Sequence, residues 1–395
     1  MARQTVQGCC RVFATVLPNG EIPLQLTSRA NPASALVFAL VLALLSASCA
    51  HQSSRPSPPV VEGDGLATTL ITEAFVVAAP AGSEVDSLAT WVSPEGEVRV
   101  IASAKYAGNL LVYDGSDGTL LLQAMPAGTL AYPNGLAIYG DTLFVVERDA
   151  GRVQVYQLPE FSGRGQFGAE QLRSPYGIWL HESAPDEVEV LVTDSYQDDD
   201  DQLPPLSALD RRIQRFRVQL APDAIQVRHL GSFGETRPEG ALRWVESIAG
   251  DVAFNRLVIA EEHPDFRDRG AAIYDLEGRY TGQRLGDGLI QGDQEGIALY
   301  ECPSGNGYWI TTDQGLEVNR FHVFDRASLD YLGSFSGRST LNTDGIAFYP
   351  AASERFPYGV LYAVDNDQGV AAFDWRDIAG ALNLWLDCPE TPPEM

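Results

Sequence analysis

The stretch Asp293-Gln-Glu-Gly-Ile-Ala298, followed by the strand-like Tyr308-Trp-Ile-Thr-Thr-Asp313, is one copy of a pattern that recurs along the chain. Each copy has a polar residue, an apolar segment with small residues, a turn, and a second apolar segment that ends in a charge. The other opening segments are Asp86-Ser-Leu-Ala-Thr-Trp91, Pro133-Asn-Gly-Leu-Ala-Ile-Tyr139, Ser174-Pro-Tyr-Gly-Ile-Trp179, Val245-Glu-Ser-Ile-Ala-Gly250 and Asn342-Thr-Asp-Gly-Ile-Ala347. The other second segments are Val100-Ile-Ala-Ser-Ala-Lys105, Leu143-Phe-Val-Val-Glu147, Val190-Leu-Val-Thr-Asp194, Leu257-Val-Ile-Ala-Glu261 and Leu361-Tyr-Ala-Val-Asp365. Six strand-rich copies at a period of about 40–50 residues predict an all-β, six-bladed β-propeller with one blade per copy.

The propeller is predicted to occupy residues 67–388 as a single domain. The 395 residues include 37 glycines and 24 prolines, as expected of a turn-rich β protein, and 45 % are hydrophobic. In a radial arrangement, the polar residues and the strand ends of all six copies converge on one axis. This ring of polar and charged groups is the candidate site.

The chain begins with an export signal, by our interpretation. Ala35–Leu45 is an apolar run of eleven residues, too short to span a bilayer and typical of a signal-peptide core. Ser46-Ala-Ser-Cys49 resembles a bacterial lipobox. We therefore expect residues 1–48 to be a signal peptide with a long n-region, Cys49 to be lipidated, and residues 49–66 to form a flexible tether.

Export would place the protein in the periplasm or on the cell surface, where its only membrane contact is a lipid anchor on a bacterial membrane. Cys9 and Cys10 would leave with the signal peptide. In an oxidising compartment, Cys302 and Cys388 are then expected to form a disulfide.

The net charge of −26 argues against nucleic acid as a partner, because an acidic surface repels a polyanion. Such a surface keeps a protein soluble or binds cations. The chain has no Cys/His zinc spacing, no HExxH motif, no GxSxG elbow and no phosphate-binding GxxxxGK loop.

Acidic residues recur at equivalent positions of successive copies. A single Asp-Gly or Asn-Gly pair is ordinary turn chemistry, but a set repeated in register favours metal binding. Carboxylate and amide oxygens suit Ca²⁺, whereas the scarcity of His and Cys ligands argues against zinc and copper. The acidic and amide candidates are Glu246, Glu261, Glu262, Asp293, Glu295, Gln314 and Asp344.

Cationic and aromatic residues occupy the equivalent positions in the first half of the chain. Lys105, the only lysine, ends the second strand of the first copy, Arg148 follows Glu147 in the second copy, and Tyr176 opens the third. A cationic sector that faces an acidic sector suits an anionic ligand bridged by metal. The acidic run Gln197–Gln202 is interpreted as a solvated loop, with a peripheral calcium site as the alternative.

These residues, taken together, resemble the β-propeller phytases, also called alkaline phytases. The matching segments include Val245–Ala249, Leu257–Glu262, Asp293–Ala298, Asp313–Gly315, Phe324–Arg326, Asn342–Ile346 and Phe356–Gly359. In the first half, Asp86-Ser-Leu-Ala-Thr-Trp91 looks like the family's Asp-Asp-Pro-Ala-x-Trp opening, with Ser87 in place of the second aspartate. The resemblance extends over roughly residues 70–380.

The resemblance implies a six-bladed propeller that uses several Ca²⁺ ions to hydrolyse inositol hexakisphosphate. Lys105, Arg148 and Tyr176 would then hold substrate phosphate. The implied calcium ligands are Asp86, Glu246, Glu262, Asp293, Glu295, Gln314 and Asp344. The family's Lys-Glu pair at the end of the third blade's second strand is replaced here by Asp194-Ser195-Tyr196, in which Asp194 could stand in for the glutamate.

The predicted function is calcium-dependent hydrolysis of phosphomonoesters, of the 3-phytase type, on phytate or another phosphorylated small molecule. Asp194 or Glu246 would orient the attacking water, and the sequence does not rank them. A non-catalytic, calcium-stabilised binding propeller and a lactonase-type propeller are the alternatives. The protein is expected to be a monomer.

Overall fold

The structure, a computed structural model, describes residues 60–63, 66–125, 128–198, 200, 202–221 and 224–388. All of these lie in one compact unit, Ser57–Met395. The predicted signal peptide, the lipidation site Cys49 and most of the predicted tether lie outside the described residues. Among the described residues, no helix has the length and hydrophobicity that crossing a membrane requires.

Six sheets form the blades, each built from four antiparallel strands, and the 26 strands among the described residues are numbered in chain order. Blades 1 to 3 comprise β4 (Val85–Val92), β5 (Val98–Ala104), β6 (Asn109–Asp114), β7 (Leu120–Gln123); β8 (Pro133–Tyr139), β9 (Thr142–Glu147), β10 (Arg152–Gln157), β11 (Ser162–Phe167); and β12 (Pro175–Ala184), β13 (Glu187–Asp194), β14 (Ile213–Leu220), β15 (Ile225–Phe233). Blades 4 to 6 comprise β16 (Val245–Asp251), β17 (Arg256–Glu261), β18 (Ala271–Tyr274), β19 (Tyr280–Leu285); β20 (Ile297–Glu301), β21 (Gly307–Asp313), β22 (Arg320–Asp325), β23 (Tyr331–Gly337); and β24 (Ile346–Tyr349), β25 (Val360–Asp365), β26 (Gly369–Asp374), β3 (Phe75–Ala78). The fold is a six-bladed propeller, which confirms the predicted fold class.

The blades close into a ring because the innermost strand of each contacts the innermost strand of the next, from β4 through β24 and back to β4. The second strand of each blade is buried on both faces between its neighbours, which explains its continuous apolar sequence. In β9, for example, every residue is buried. The outermost strand of blade 1, Leu120–Gln123, is by contrast fully exposed.

The N-terminal strands join the ring to the end of the chain. β3 pairs antiparallel with β26 and supplies the outermost strand of blade 6. β2 (Leu66–Ile71) pairs parallel with β23 of blade 5, and β1 (Val60–Gly63) pairs with β2. Blade 6 therefore combines strands from both ends of the propeller sequence, and their pairing holds the ring closed.

The C-terminal end packs on blade 5. Helix α1 (Trp375–Leu382) begins at Asp374, whose carboxylate accepts a hydrogen bond from the Arg376 amide, and ends at Asn383 in the left-handed conformation. Two short 3₁₀ helices, Leu206–Ala208 and Arg267–Arg269, lie in loops. Beyond α1, Cys388 forms a disulfide with Cys302, which follows β20, and the two Cα atoms are 5.4 Å apart.

This disulfide closes a loop of 86 residues, so it should stabilise the fold by restricting the unfolded chain. We expect the double variant Cys302→Ser/Cys388→Ser to lose about 2–4 kcal/mol of the free energy of unfolding. Guanidinium titration measures this, and wild-type protein unfolded in a reductant is the matched control. Equal stability of the oxidised protein and the double variant would contradict the expectation.

Candidate active site at the propeller axis

In blades 1 to 4, a repeated irregularity of the innermost strand turns one polar side chain toward the axis. The pairing of the innermost strand with the second strand shifts register between Val85 and Leu88 in blade 1, and at the same place in blades 2, 3 and 4. A bulge of this kind changes the direction in which a side chain points. Each shift spans a polar residue and the small residue after it: Asp86-Ser87, Asn134-Gly135, Tyr176-Gly177 and Glu246-Ser247.

Hydroxyl side chains of the second strand hold the irregular backbone in three blades. The Ser87 amide donates to Ser103 Oγ at 3.0 Å, and the Gly177 amide donates to Thr193 Oγ1 at 2.7 Å. In blade 5, Thr312 Oγ1 accepts from the amides of Glu295 and Gly296 at 3.2 and 2.9 Å. These hydroxyls satisfy amides that the shifted ladder leaves unpaired.

Small residues are needed after the polar ones because neighbouring backbones meet at the axis. A Cβ atom on Gly177 would lie 2.4 Å from the Glu246 carbonyl oxygen, and one on Gly135 would lie 2.5 Å from the Tyr176 carbonyl oxygen. The narrow axial channel is lined by one small and one aliphatic residue from each blade: Ser87-Leu88, Gly135-Leu136, Gly177-Ile178, Ser247-Ile248, Gly296-Ile297 and Gly345-Ile346.

Above this channel, Glu246, Glu262 and Glu295 form an acidic cluster. One oxygen from each carboxylate lies within 4.8 Å of the others. Burial, followed by the neighbouring carboxylates Glu262 and Glu295, raises the pKa of Glu246 well above its usual value. The pKa of Glu295 is raised well above its usual value by burial and by Glu262, and that of Glu262 is raised mainly by burial. Three carboxylates this close together fit the donor set of a hard metal ion.

Two further predicted ligands lie next to the acidic cluster. The charge of Asp293 contributes to the raised pKa of Glu262. Gln314 is held by the Asp293 carbonyl oxygen, which accepts from its amide at 2.8 Å, and its side-chain nitrogen donates to Asp344 Oδ1. Gln314 thus connects Asp293, through its backbone amide, with Asp344 of blade 6, through its side-chain amide.

Lys105 lies among the carboxylates of blades 1 and 6. Its Nζ is 2.9 Å from Asp344 Oδ2, 3.3 Å from Asp367 Oδ1 and 3.7 Å from Asp86 Oδ1. Despite its burial, the charges of Asp86 and Asp344 raise the pKa of Lys105, so it stays protonated. Burial raises the pKa of Asp344 to about 8, with Asp86 as the next cause.

Arg148 and Tyr176 form the cationic side of the axis. The Arg148 guanidinium lies 3.6 Å above the centre of the Tyr132 ring and donates to Tyr176 Oη at 3.5 Å. Burial and the charge of Glu246 raise the pKa of Tyr176 to about 12, so its hydroxyl stays protonated. The structure therefore brings Lys105, Arg148 and Tyr176 to the same end of the axis as the acidic cluster.

Two predicted site residues, Asp194 and Glu261, lie elsewhere. Both are fully buried strand ends that accept backbone hydrogen bonds from the loop entering their own blade. Asp194 accepts from the amides of Ser174 and Arg173 at 2.7 and 3.2 Å. Glu261 accepts from the Arg243 amide at 3.0 Å and forms an ion pair with the Arg284 guanidinium.

Glu147, Asp313 and Asp365 make the same kind of bond in their blades, to the amides of Ala131, Gly292 and Leu341. The recurring acids at the strand ends thus fix the loops. The residue that follows the end of the second strand faces the site instead, as Lys105, Arg148 and Glu262 do.

Several residues of the site were not predicted from the sequence. Asn134 donates to Asp86 Oδ2 at 2.8 Å, and its position before Gly135, equivalent to that of Asp86 before Ser87, could have identified it. Asp367 binds Lys105 from a turn, where no repeated signal marks it. Arg173, Tyr196 and Trp244 line a cavity of about 440 Å³ beside Arg148, and nothing in the repeats indicated them.

Fold and site together define a six-bladed propeller with an acidic, metal-suited cluster facing a cationic sector across its axis. Residues 242–380 match the family model described as Phytase. A 3-phytase of Bacillus subtilis (strain 168) is 28 % identical over 165 residues, which are 36 % of this chain and 41 % of the relative. The resemblance to the phytases is thereby confirmed, while the chain spans about two fifths of the length of the relative it matches.

Solved structures with a similar fold are more distant. Hydrazine synthase of Kuenenia stuttgartiensis is 12 % identical with a TM-score of 0.45, and the alignment covers 79 % of this chain and 82 % of that one. A chain of the nidogen/laminin complex is 14 % identical with a TM-score of 0.44, covering 73 % and 92 %. At TM-scores this low, neither likeness adds to the argument.

Repulsion in the acidic cluster gives the metal-free protein a particular pH dependence. The raised pKa values mean that the folded state keeps protons to a higher pH than the unfolded state, whose glutamates titrate near 4.5. As pH rises above that value, ionisation of the cluster therefore destabilises the fold.

We expect Glu295→Gln, which removes one of these charges, to raise the thermal midpoint of chelator-treated protein at pH 8 by roughly 2 °C, and to raise it less at pH 5. Differential scanning fluorimetry measures the shift. Glu95→Gln, at an exposed turn, is the matched control. A lower midpoint for Glu295→Gln than for wild type at pH 8 would contradict the repulsion.

Proposed function

We propose that this protein is a calcium-dependent phosphomonoester hydrolase of the 3-phytase type, acting on phytate (inositol hexakisphosphate) or a similar phosphorylated small molecule. The observation that carries the proposal is the convergence of the Glu246, Glu262 and Glu295 carboxylates opposite Arg148 and Tyr176. The match of residues 242–380 to the Phytase family model supports it, because this segment supplies all three carboxylates.

Calcium is the cofactor that we propose for the acidic cluster. Its donors would be Glu246, Glu262 and Glu295, with Asp293 and Gln314 beside them, and Asp86 and Asp344 would serve a further ion near Lys105. These are hard oxygen ligands, and carboxylates held this close are stable only with a cation or protons between them. Bound calcium would supply positive charge to the phosphate oxygens and to the attacking water.

The residues of the cationic sector would position the substrate. Arg148 is held by the rings of Tyr132 and Tyr176 and by an ion pair of its Nε with Asp149 Oδ1 at 2.8 Å, so its planar guanidinium loses little entropy when it binds phosphate. Lys105 would neutralise a second nonbridging oxygen. Phosphoryl transfer depends largely on such positioning and charge stabilisation.

Glu246 is the residue that we propose to orient the attacking water. It belongs to the acidic cluster and lines the same cavity as Tyr176, and the Thr193 hydroxyl donates to its carbonyl oxygen at 2.8 Å. The carboxylate oxygens of Asp194, the other candidate from the sequence, already accept hydrogen bonds from the Arg173 and Ser174 amides. This favours Glu246.

We also propose that the protein acts outside the cytoplasm, as a monomer anchored through Cys49 to a bacterial membrane, with no nucleic-acid partner. The disulfide between Cys302 and Cys388 supports an oxidising compartment.

A calcium-stabilised propeller that binds phosphorylated ligands without hydrolysing them is the second candidate. It is favoured by the end of β13, where the stretch Thr193-Asp194-Ser195-Tyr196 contains no counterpart of the lysine in the Lys-Glu pair that the resemblance implies.

Phosphate release from phytate, with calcium and with a chelator, tests the proposal. We expect the purified protein to release inorganic phosphate only with calcium and to gain thermal stability from calcium. Calcium-dependent stabilisation without any phosphate release would reject hydrolysis and favour the binding propeller. No response of either kind would reject both.

Lys105→Ala should lower kcat for phytate roughly 100-fold, because an uncompensated phosphate oxygen would then face Asp86 and Asp344. Lys105→Arg, which keeps the charge, should recover part of the loss. Arg228→Ala, on the outermost strand of blade 3, serves as the control for loss of one positive charge. Equal kcat values for Lys105→Ala and Arg228→Ala would remove Lys105 from the mechanism.

A further inference from the structure

The cavity beside Arg148 lies between blades 2, 3 and 4, and we refer to it as the interblade cavity. Its walls carry Arg148, Arg173, Tyr176, Ser195, Tyr196 and Trp244. It opens beside the acidic cluster, since Glu262 also lines it. Its volume of about 440 Å³ is sufficient for a small ligand.

Arg173 is a second guanidinium on the wall of this cavity. It is exposed, and the charge that its guanidinium is shown to act on is that of the buried Asp194 carboxylate, whose oxygens already accept backbone hydrogen bonds. In a chain of net charge −26, cationic side chains near the axis tend to form ion pairs, and Lys105 forms ion pairs with three carboxylates. Arg173 therefore keeps its hydrogen-bonding capacity for a ligand.

Tyr196 provides a fixed platform for Arg173, whose guanidinium lies 5.4 Å from the ring centre. The Tyr196 ring is buried, and its hydroxyl donates to the Ala208 carbonyl oxygen. Arg212 supports the ring at 4.3 Å and is itself held by the carbonyl oxygens of Asp194 and Tyr196 at 3.0 and 2.7 Å. A guanidinium near a fixed aromatic ring is partly ordered before it binds.

The buried carboxylate of Asp194 fixes the backbone from which Arg173 extends. Both of its oxygens accept from the Arg173 amide at 3.2 Å, and one also accepts from Ser174 at 2.7 Å. Tyr176, two residues after Ser174, lines the same cavity. The segment Asp194-Ser195-Tyr196 thus orders the loop that carries Arg173.

We propose that Arg173 is a specificity-determining residue whose guanidinium binds a phosphate group of the substrate beside Arg148. It would supply this positive charge from the loop before β12. The ligand class is a small molecule that carries phosphate groups. This inference rests on the proposed function for its substrate.

Two carboxylates also line the interblade cavity and limit where phosphate can bind. Glu262 belongs to the acidic cluster. Asp198 lies on the opposite loop, where its Oδ1 accepts from the amides of Asp200 and Gln202 at 3.0 and 2.9 Å. Phosphate would therefore bind within reach of the guanidinium groups rather than of these carboxylates, because opposite charges attract and like charges repel.

The test compares Arg173→Ala, Arg173→Lys and the control Arg228→Ala, an exposed arginine on the outermost strand of the same blade. We expect Arg173→Ala to raise the Kd for inorganic phosphate, measured by calorimetry in calcium buffer, roughly tenfold. The KM for phytate should rise by a similar factor while kcat changes less than about twofold, because the proposed role of Arg173 is to bind phosphate and not to orient the attacking water. Arg173→Lys should recover part of both effects, and equal thermal midpoints would verify folding.

The outcomes separate this inference from the proposed function. Equal phosphate affinity in Arg173→Ala and Arg228→Ala would overturn the role of Arg173, and so would a wild-type protein that binds no phosphate. Weaker phosphate binding in Arg173→Ala alone, in a protein that releases nothing from phytate, would support Arg173 and reject hydrolysis. A loss confined to kcat would also overturn the role, because it would assign Arg173 to the chemical step.

Discussion

The close approach of six backbones at the propeller axis is the constraint on which the site depends. The innermost strands can meet there only where a small residue faces the neighbouring backbone, as Gly177 faces Glu246. The register shift beside that small residue turns the preceding side chain out of the ladder and toward the axial opening. One structural solution, repeated around the ring, therefore packs the centre and also supplies its functional groups.

The sequence predicted the fold correctly because six copies of a strand-rich repeat have few other ways to bury their apolar faces. The way in which the ring closes could not be predicted from the sequence. β3 pairs with β26, almost 300 residues away, and the short segment Phe75–Ala78 carries no repeat signal. The direction of the side chains at the strand ends could not be predicted either. Side chains alternate along a strand, so a shift of one residue moves a side chain to the other face. Asp194 and Glu261 therefore occupy loop-fixing positions, while their successors Ser195 and Glu262 face the site.

The acids of the repeats thus divide into two sets with different physics. Strand-end acids such as Glu147 and Asp194 receive backbone hydrogen bonds, which offset part of the cost of burying a charge, although burial still raises the pKa of Asp194. Glu246 and Glu295 lie among other carboxylates, and their pKa values rise well above the usual range. Sequence spacing alone cannot separate these sets, since both recur with the same period. The balance of hydrogen bonds against repulsion separates them, and only the second set fits a metal ion.

The arrangement of charge also explains how so acidic a protein could accept a polyanion. Lys105 contributes little free positive charge, because Asp86, Asp344 and Asp367 surround it. Without a metal ion, the axis is therefore cationic only on the side of Arg148, and phosphate would be repelled by the acidic cluster. A divalent cation in that cluster would offset most of its negative charge and so weaken its repulsion of phosphate, and ions at Asp86 and Asp344 would compete with Lys105 for these carboxylates. Binding of phosphate would then depend on the metal on both sides of the axis, whereas the interblade cavity would keep its own attraction for phosphate through its two arginines.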